Sequence, residues 1–325
     1  MIMNTEYDVY FYEAFTEEEH ALRKHLPENI KAGFTWKTIQ ESDHQSPPSA
    51  IISTRTQSIF PLEWAEFLKA VLSRSTGYDH LLEYREKSSA KAEMGYLPLY
   101  CNRAVAEQAL LLWISLLRRL PLQTAQFNEF ARDGLTGSEL GGKKLVVYGV
   151  GNIGKEVYNI AQALNMDVYG VDIEKRHNDV KYISPEQGAE IADVIVSAMN
   201  LTTLNYGYFN KTFFNRAKKG VVFVNISRGE LSPSDVLLEF VKLGVIGAVG
   251  LDVFENEKDL SGLLRSKVES DKSSVLAIKE MMKMPNVILT PHNAFNTLEA
   301  VERKSAQSIE QLNFFLENNR FKWSV

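Results

Sequence analysis

Three glycines between residues 149 and 154 form the first chemical signature in this sequence. An apolar run at 144–148 is followed at once by GVGNIG, which has the spacing G-x-G-x-x-G. In a strand–turn–helix unit the first glycine makes the tight turn, the second lets a pyrophosphate approach the backbone, and the third lets helix and strand pack closely. The helix start then offers free N–H groups to the phosphates. The motif alone also fits a turn that binds no ligand, so the surrounding sequence must show whether a dinucleotide binds here.

A carboxylate after the next apolar run supports dinucleotide binding. The run 167–171 leads into Asp172, close to the spacing of about 20 residues at which an acidic side chain binds a ribose 2′-hydroxyl. Such a carboxylate repels a 2′-phosphate, so the pattern predicts NAD rather than NADP. Lys175 and Arg176 follow closely and weaken that preference. The alternative is that Asp172 is only a turn residue at a strand end, and we favour it less.

An arginine, a glutamate and a histidine follow three later apolar runs and could carry out a reaction. Arg228, Glu257 and His292 come after the runs at 221–226, 246–251 and 286–289. A guanidinium binds a carboxylate bidentately and fixes its orientation. A histidine exchanges a proton with a substrate oxygen, and a glutamate on its other ring nitrogen sets the tautomer and favours the imidazolium. Singly, each residue has an ordinary structural explanation. Together, near a nicotinamide, they predict hydride transfer coupled to proton transfer.

Apolar runs that alternate with helical segments must position these residues. Their lengths and β-branched content are typical of buried parallel strands, and they recur from residue 142 onward at 144–148, 167–171, 192–196, 221–226, 246–251 and 286–289. This predicts an α/β fold with a doubly wound parallel sheet of Rossmann type, which binds ligands at the carboxyl ends of its strands. Before residue 101, strands at 7–12 and 50–52, a helix at 16–26 and an amphipathic stretch at 62–72 predict a second, smaller α/β domain.

Composition and charge exclude several classes of function. The chain has 325 residues, of which 45% are hydrophobic and 24% charged, as in a soluble globular protein. Its net charge of −5 is dispersed, so we expect no nucleic-acid partner. The single Cys101 excludes an internal disulfide and fits a reducing compartment. With no signal-peptide pattern at the start, we expect a cytoplasmic protein with no metal and no membrane association.

At these residues the chain resembles the D-isomer-specific 2-hydroxyacid dehydrogenase family. The similarity runs from about residue 51 to the last helix, and four motifs carry it, namely GVGNIG at 149–154, NISRGEL at 225–231, GLDVFENE at 250–257 and PH at 291–292. The family's catalytic Arg, Glu and His fall on Arg228, Glu257 and His292. The resemblance implies an NAD-dependent enzyme that reduces a 2-oxo acid to the D-2-hydroxy acid.

Within the family the chain is most similar to the D-lactate dehydrogenase branch. HNAFNTLEA at 292–300 resembles that branch's H-x-A-F-x-T-x-E-A, and PLY at 98–100 resembles its P-A-Y. The branch implies cofactor contacts at Gly149, Gly151, Asn152, Ile153, Gly154, Asp172, Met199, Asn200, Asn205, Ile226, Ser227 and Asp252. It implies substrate contacts at Thr76, Gly77, Tyr100, Arg228 and Phe295. Departures at Asn152, Asn200 and around Gly77 leave the substrate side chain open.

The resemblance also implies a split arrangement of domains and a partner. Residues 1–101 and 293–325 would form a smaller, flavodoxin-like substrate-binding domain, and residues 102–292 the NAD-binding Rossmann domain. An insertion at 258–284 matches the branch in position and is strongly charged, which predicts a solvated surface flap. The segment 104–120 is apolar nearly all round but too short and too charged to span a bilayer. We favour it as a homodimer contact over burial within one chain.

Two classes of function remain open at this point. The first is an enzyme that reduces a small 2-oxo acid, pyruvate before others, with branched or phenyl 2-oxo acids as alternatives. The second is an NAD(H)-sensing regulator like the corepressor relatives, which keep the fold and act through partner contacts.

Overall fold

Two units make up the part of the chain that the computed structural model describes, residues 6–266 and 269–325. The smaller unit contains the residues up to Cys101 together with Asn296–Val325, and the larger unit is Asn102–Phe295. Both are α/β folds with parallel sheets, which confirms the predicted fold class. The assignment of substrate binding to the smaller unit and cofactor binding to the larger one stays a prediction.

The smaller unit is built on a sheet of five parallel strands in the described residues. In chain order they are β1 (Val9–Phe11), β2 (Ala32–Phe34), β3 (Ile51–Thr54), β4 (Ala70–Ser73) and β5 (Glu93–Gly95). Their order across the sheet is β2-β1-β3-β4-β5, which is that of flavodoxin-like folds. The helices of this unit are α1 (Thr16–His25), α2 (Asp79–Ser88) and the C-terminal helix Leu298–Asn318.

Local patterning missed three of these strands. The amphipathic stretch at 62–72 is one turn of 3₁₀ helix over Leu62–Glu66 followed by β4. Every residue of β4 is buried, so the strand has no polar alternation that would distinguish it from the preceding helical turn. The strands β2 and β5 are three residues each, too short for periodicity to detect.

The larger unit contains six parallel strands in its described residues, and each matches a predicted apolar run. They are β6 (Lys144–Tyr148), β7 (Asp167–Val171), β8 (Val194–Ser197), β9 (Val221–Asn225), β10 (Ile246–Leu251) and β11 (Val287–Leu289). The order is β11-β10-β9-β8-β6-β7, so β7 is added on one side of β6 and the later strands on the other side. That change of side is the switch point at which doubly wound sheets bind ligands.

Helices cover this sheet and bury its two faces. They are α3 (Asn102–Leu117), α4 (Leu120–Gln126), α5 (Asn152–Ala163), α6 (Pro185–Ile191), α7 (Lys211–Phe214), α8 (Ser234–Lys242), α9 (Glu257–Ser266) and α10 (Ser273–Met281). The segment predicted as one helix at 104–120 breaks at Arg119, whose φ of 52° lies in the left-handed region. No helix in the described ranges has the length and apolar character needed to span a membrane.

The insertion at 258–284 is not the solvated flap that its charge predicted. Residues 267 and 268 lie outside the described residues, but the C-terminal part of the insertion forms α10, which packs on α8. Val275, Ile278 and Met281 are almost fully buried in the core of the larger unit. The charged residues of the insertion dominate its composition, whereas the apolar face of α10 decides its packing.

A pair of substitutions in α10 tests this correction. Ile278→Ala removes a side chain that is 1% exposed and should lower the free energy of unfolding by about 2–5 kcal/mol through lost burial and the cavity left behind. Leu276→Ala, on the exposed face of the same helix, is the matched control and should cost less than about 1 kcal/mol. Urea unfolding followed by fluorescence measures both. Equal losses of unfolding free energy in the two variants would contradict the burial of this face of α10.

Candidate active site

The turn after β6 packs tightly against neighbouring backbone at two of its three glycines. Gly149 has a φ of +90°, and a Cβ there would lie 2.7 Å from the backbone of Met199. A Cβ on Gly154 would lie 1.9 Å from the carbonyl oxygen of Gly149, so α5 packs directly on the turn. A Cβ on Gly151 would meet nothing within 4 Å. Two of the glycines are therefore needed for packing, whereas Gly151 borders open space at the start of α5.

Asp172 lies beside this turn, at the end of the neighbouring strand β7. Its Oδ2 accepts a hydrogen bond of 2.6 Å from the backbone N–H of Val150, and its Oδ1 accepts one of 3.0 Å from the N–H of Glu174. The bond to Val150 holds the carboxylate against the glycine turn, and each oxygen keeps a further lone pair for a hydroxyl donor. The geometry fits the predicted contact with a ribose.

The other predicted cofactor residues, apart from Asp252 after β10, follow the neighbouring strands β6, β8 and β9 at the same sheet edge. Asn152 is exposed, whereas Ile153 and Met199 are half-buried. Asn200 is exposed and its carbonyl accepts from the Asn205 amide, whose oxygen accepts from the N–H of Thr202, so Asn205 shapes its own loop. Ile226 is buried, and the Ser227 hydroxyl bonds to the Ser197 hydroxyl at 2.9 Å.

Two exposed aliphatic side chains that the sequence analysis did not single out follow the strands on either side of β6. Ile173, directly after Asp172, is 99% exposed, and Leu204, in the loop after β8, is 96% exposed. Their strands, β7 and β8, lie on either side of β6. Large aliphatic groups so fully in water are unusual and favour an apolar ring as ligand, such as a nucleobase. The sequence shows both aliphatic residues in predicted loops, but only the strand order shows that these loops follow the two neighbours of β6.

Asn225 shapes the turn that carries Arg228, and sequence reasoning missed this role. The Asn225 side chain is fully buried at the end of β9. Its Oδ1 accepts from the N–H and hydroxyl of Ser227, and its Nδ2 donates to the carbonyl of Arg228 and to Ser232 Oγ. Every hydrogen-bonding group of the amide thus serves the turn. A polar residue ending an apolar strand was the available signal.

The turn after Arg228 lies against the segment that leads to Glu257. A Cβ on Gly229 would lie 1.9 Å from the carbonyl carbon of Phe254, so this glycine allows backbone contact between the ends of β9 and β10. Arg228 is half-buried, and its Nη1 donates to the carbonyl of Ser227. Arg228 is therefore held next to the carboxylate-bearing loop.

Glu257 and His292 form a hydrogen-bonded pair across the ends of β10 and β11. Glu257 Oε2 lies 2.9 Å from His292 Nδ1, and Glu257 Oε1 accepts from the N–H of Phe254. A carboxylate accepts only, so Nδ1 carries a proton and Nε2 points away from the pair. The His292 side chain is 27% exposed and that of Glu257 is 31% exposed, so Nε2 is not sealed in the core. The backbone of His292 has a φ of 49°, a strained value for histidine that is typical of functional sites.

Asp252 holds the loop on which His292 lies. It is completely buried, and its carboxylate accepts from Thr290 Oγ1 at 2.5 Å, from the N–H of Asn293 at 2.9 Å and from the N–H of Ala294 at 2.9 Å. Burial raises the pKa of Asp252. The three hydrogen bonds to the carboxylate oppose that rise, and so does the charge of the nearby His292. These contacts anchor the strained backbone around His292. The predicted cofactor contact of Asp252 stays a prediction.

The predicted substrate residues outside this edge lie mostly in the smaller unit. Thr76 and Gly77 are half-buried in the loop after β4, where Thr76 Oγ1 donates to the carbonyl of Leu97. Tyr100 is 4% exposed, and its carbonyl accepts from Arg303 Nε at 2.8 Å. Phe295, the last residue of the larger unit, is half-buried. Their role in substrate binding stays a prediction.

Metal chemistry has no evident location in the part of the chain that the structure describes. No group of three or more His, Cys, Asp and Glu side chains there could hold a metal ion. What the larger unit does assemble is a glycine turn, the Asp172 carboxylate, the Arg228 guanidinium and the Glu257–His292 pair, all along one sheet edge.

The chain is similar to known proteins in both sequence and structure. Residues 110–294 match the family model described as D-isomer specific 2-hydroxyacid dehydrogenase, NAD binding domain. The aromatic 2-oxoacid reductase of Clostridium sporogenes is 30% identical over 240 residues, which are 72% of this chain and 71% of that protein. The D-lactate dehydrogenase of Escherichia coli is 32% identical over 225 residues, 66% of this chain and 67% of that one. The D-lactate dehydrogenase from Aquifex aeolicus, solved with NAD and lactic acid, has a TM-score of 0.83 with 25% identity over 96% of each chain.

Asp252→Asn tests the anchoring role of the buried carboxylate. An amide at this position turns one acceptor into a donor that faces an N–H or hydroxyl donor, so the loop must shift. A small misplacement of His292 should lower kcat by about 10- to 100-fold, while the Kd for NADH stays unchanged in a fluorescence titration. Asp167→Asn, at an exposed aspartate of β7, is the control. A raised Kd for NADH with normal kcat would instead assign Asp252 to the cofactor.

Proposed function

We propose that this chain, which belongs to the D-isomer specific 2-hydroxyacid dehydrogenase family, reduces a small 2-oxo acid, pyruvate foremost, to the D-2-hydroxy acid. Membership makes it an NAD-dependent oxidoreductase acting on D-2-hydroxy acids. The observation that carries the proposal is the Glu257–His292 pair, which lies one strand away from Arg228 at the carboxyl edge of the cofactor sheet. Pyruvate itself is an inference, since the relatives include both a D-lactate dehydrogenase and an aromatic 2-oxoacid reductase.

The residues of the larger unit fit NAD. Open space at Gly151 and the N-terminus of α5 suit the pyrophosphate, and the Asp172 carboxylate suits a ribose hydroxyl and repels a 2′-phosphate. Ile173 and Leu204 would cover the faces of the adenine ring. Bound NADH supplies the hydride that reaches the carbonyl carbon of the substrate.

Arg228, His292 and Glu257 would divide the remaining chemistry among them. The Arg228 guanidinium binds the substrate carboxylate through two hydrogen bonds and so fixes which face of the carbonyl receives the hydride. His292 Nε2 donates its proton to the carbonyl oxygen, which becomes the hydroxyl of the product. Glu257 holds the ring through Nδ1 and stabilises the imidazolium before that proton leaves. The backbone N–H groups of Thr76 and Gly77 and the side chains of Tyr100 and Phe295 are proposed as further substrate contacts.

A panel of 2-oxo acids tests the activity and the proton donor together. Oxidation of NADH, and of NADPH in parallel, is followed with pyruvate, 2-oxobutyrate, 2-oxoisocaproate, phenylpyruvate and hydroxypyruvate, and the product is assayed for D configuration. We expect turnover with NADH, highest for pyruvate. His292→Ala should lower kcat by about two to four orders of magnitude, whereas His177→Ala, on a loop outside the set, serves as control.

Other outcomes of the panel have defined meanings. Turnover led by phenylpyruvate would replace pyruvate as the substrate and keep the enzyme class. Tight NADH binding with no turnover of any 2-oxo acid would favour the NAD(H)-sensing regulator. Near-normal turnover by the His292→Ala variant would exclude His292 as the proton donor.

We also propose that the chain forms a homodimer through α3 and α4. An apolar groove on the larger unit is lined by Leu111, Leu112, Ser115, Leu120, Pro121, Thr124, Ala125, Ile288 and Thr290. Just beyond it, Phe127 and Phe130 are 71% and 70% exposed. Apolar surface of this kind marks contact sites between proteins. A second copy of the chain is the occupant that the family resemblance favours.

The mass in solution tests the dimer. Light scattering should give the mass of two chains, and Leu111→Glu should shift it to that of one chain by introducing an uncompensated charge into the contact. Leu243→Glu is the matched control, because Leu243 is an exposed leucine outside the groove. A single-chain mass for the unmodified protein would refute the proposal.

A further inference from the structure

Consecutive hydrogen bonds run through the loop after β4, which carries Thr76 and Gly77. Ser73 Oγ lies 2.6 Å from Ser75 Oγ, and Ser75 Oγ lies 2.6 Å from the carbonyl oxygen of Gly77. On its other side, Ser73 Oγ lies 3.1 Å from Nε2 of His80, in the first turn of α2. These three bonds, here called the loop network, join the end of β4 to the start of α2.

The chemistry of the donors and acceptors fixes the direction of the loop network. A carbonyl oxygen only accepts, so the single proton of the Ser75 hydroxyl goes to Gly77. Ser75 Oγ therefore accepts from Ser73, and the Ser73 hydroxyl has no second proton to donate to the imidazole. His80 Nε2 is consequently the donor of the third bond. The neutral ring in this tautomer and the imidazolium both carry that proton, so protonation of His80 does not break the network.

Burial makes these bonds difficult to replace by bonds to water. Ser73 is 0% exposed and Ser75 is 7% exposed. His80 is half-buried, and its ring stacks on that of Phe60 at a centroid distance of 6.4 Å. A buried hydroxyl that loses its partner costs free energy, and consecutive hydrogen bonds polarise and strengthen one another. The loop conformation in which all three bonds form is therefore strongly preferred.

Further bonds hold the same loop to the segment after β5. The carbonyl of Ser75 accepts from the N–H of Leu97, and Thr76 Oγ1 donates to the carbonyl of Leu97. The backbone N–H groups of Thr76 and Gly77, by contrast, donate to no acceptor within the described ranges, although both residues are half-buried. Backbone N–H groups need partners, and an oxyanion accepts such hydrogen bonds strongly. The loop thus presents two donors that suit a carboxylate.

The loop network ends at the residue that most needs a constraint. Glycine has the widest choice of backbone conformations, so Gly77 would otherwise adopt several orientations. The bond from Ser75 to its carbonyl oxygen restricts the peptide that follows Gly77. The bonds between Leu97 and residues 75 and 76 restrict the peptides that precede it. Together they leave the N–H groups of Thr76 and Gly77 at fixed positions.

We propose that Ser75 and His80 are positioning residues that, through Ser73, hold the N–H groups of Thr76 and Gly77 in place for the carboxylate of the 2-oxo acid. The inference rests on the proposed reduction of 2-oxo acids and names the side chains that build one of its substrate contacts. Neither side chain exchanges a proton with the substrate, because the donors of the loop network end at the Gly77 carbonyl.

Steady-state kinetics with pyruvate and NADH test the role of Ser75. The substrate carboxylate keeps its charge during reduction, so a contact to it stabilises bound substrate and transition state equally, and its loss raises KM rather than lowering kcat. Ser75→Ala should raise KM for pyruvate about 10-fold, the lower end for loss of a hydrogen bond to a charged group. The kcat should change less than about threefold, and the Kd for NADH should stay unchanged. Ser46→Ala, at an exposed serine of the same unit, is the matched control.

A double-mutant cycle tests whether His80 acts through Ser75. His80→Leu removes the donor that sets the direction of the loop network and should raise KM in the same way. His80→Gln keeps an N–H donor and should retain most of the substrate affinity. In the Ser75→Ala background, His80→Leu should change KM less than about twofold further, because the network no longer reaches Gly77. Two residues that stabilise the fold independently would multiply their effects instead.

The outcomes separate this inference from the proposed function. Turnover of pyruvate with an unchanged KM in Ser75→Ala, or a loss of kcat at constant KM, would overturn the positioning role. Multiplied effects in the cycle would overturn the coupling of His80 to Ser75. If Ser75→Ala fails to fold, as judged by its melting temperature, the contrast between His80→Leu and His80→Gln decides by the same kinetics.

A binding measurement covers the case in which the unmodified protein reduces no 2-oxo acid. The proposed function then fails, and oxamate, a carboxylate analogue of pyruvate, is titrated into the complex of protein and NADH while NADH fluorescence is followed. A Kd for oxamate that rises about 10-fold in Ser75→Ala, but not in Ser46→Ala, would support the positioning of a carboxylate. An equal Kd in both variants, or no binding to the unmodified protein, would overturn it.

Discussion

Parallel pairing of strands that are buried on both faces is the constraint on which this chain depends. Strands such as β8 and β9 have no exposed residue, so their apolar side chains serve packing alone. Chemistry is therefore confined to the loops, and parallel direction collects the carboxyl-end loops of the larger unit at one edge. The strand order β11-β10-β9-β8-β6-β7 then arranges His292, Glu257 and Arg228 at one end of this edge and the glycine turn with Asp172 at the other. A dinucleotide is an extended ligand that fits such a linear arrangement.

Buried polar side chains set the conformations of the loops that carry Arg228 and His292. Asn225 uses its whole amide to shape the turn of Arg228, and Asp252 uses both oxygens to hold the loop of His292. Buried polar groups must find partners, so a fully satisfied amide or carboxylate allows few alternative loop conformations. The strain at His292 persists because these bonds over-determine its backbone. The positions of Arg228 and His292 thus depend on the buried side chains of Asn225 and Asp252.

In the smaller unit several of the buried polar side chains are charged. Glu18, Arg74 and Lys304 form a buried ion cluster whose burial costs free energy, and such a cluster contributes little net stability. Its residues come from opposite ends of the chain and meet at Tyr100.

The sequence by itself determined the strands of the larger unit, the glycine turn, and the identities of Arg228, Glu257 and His292, because glycine spacing and strand-length apolar runs are local signals. It did not determine strands as short as β2 and β5, nor the packing of α10, whose charged neighbours conceal its apolar face. Only the tertiary structure decided that Glu257 bonds to His292, that Asp252 anchors the histidine loop, and that Lys304 joins Glu18. These contacts link residues far apart in the chain, and which distant strands and helices become neighbours depends on the packing of the whole unit rather than on any local pattern.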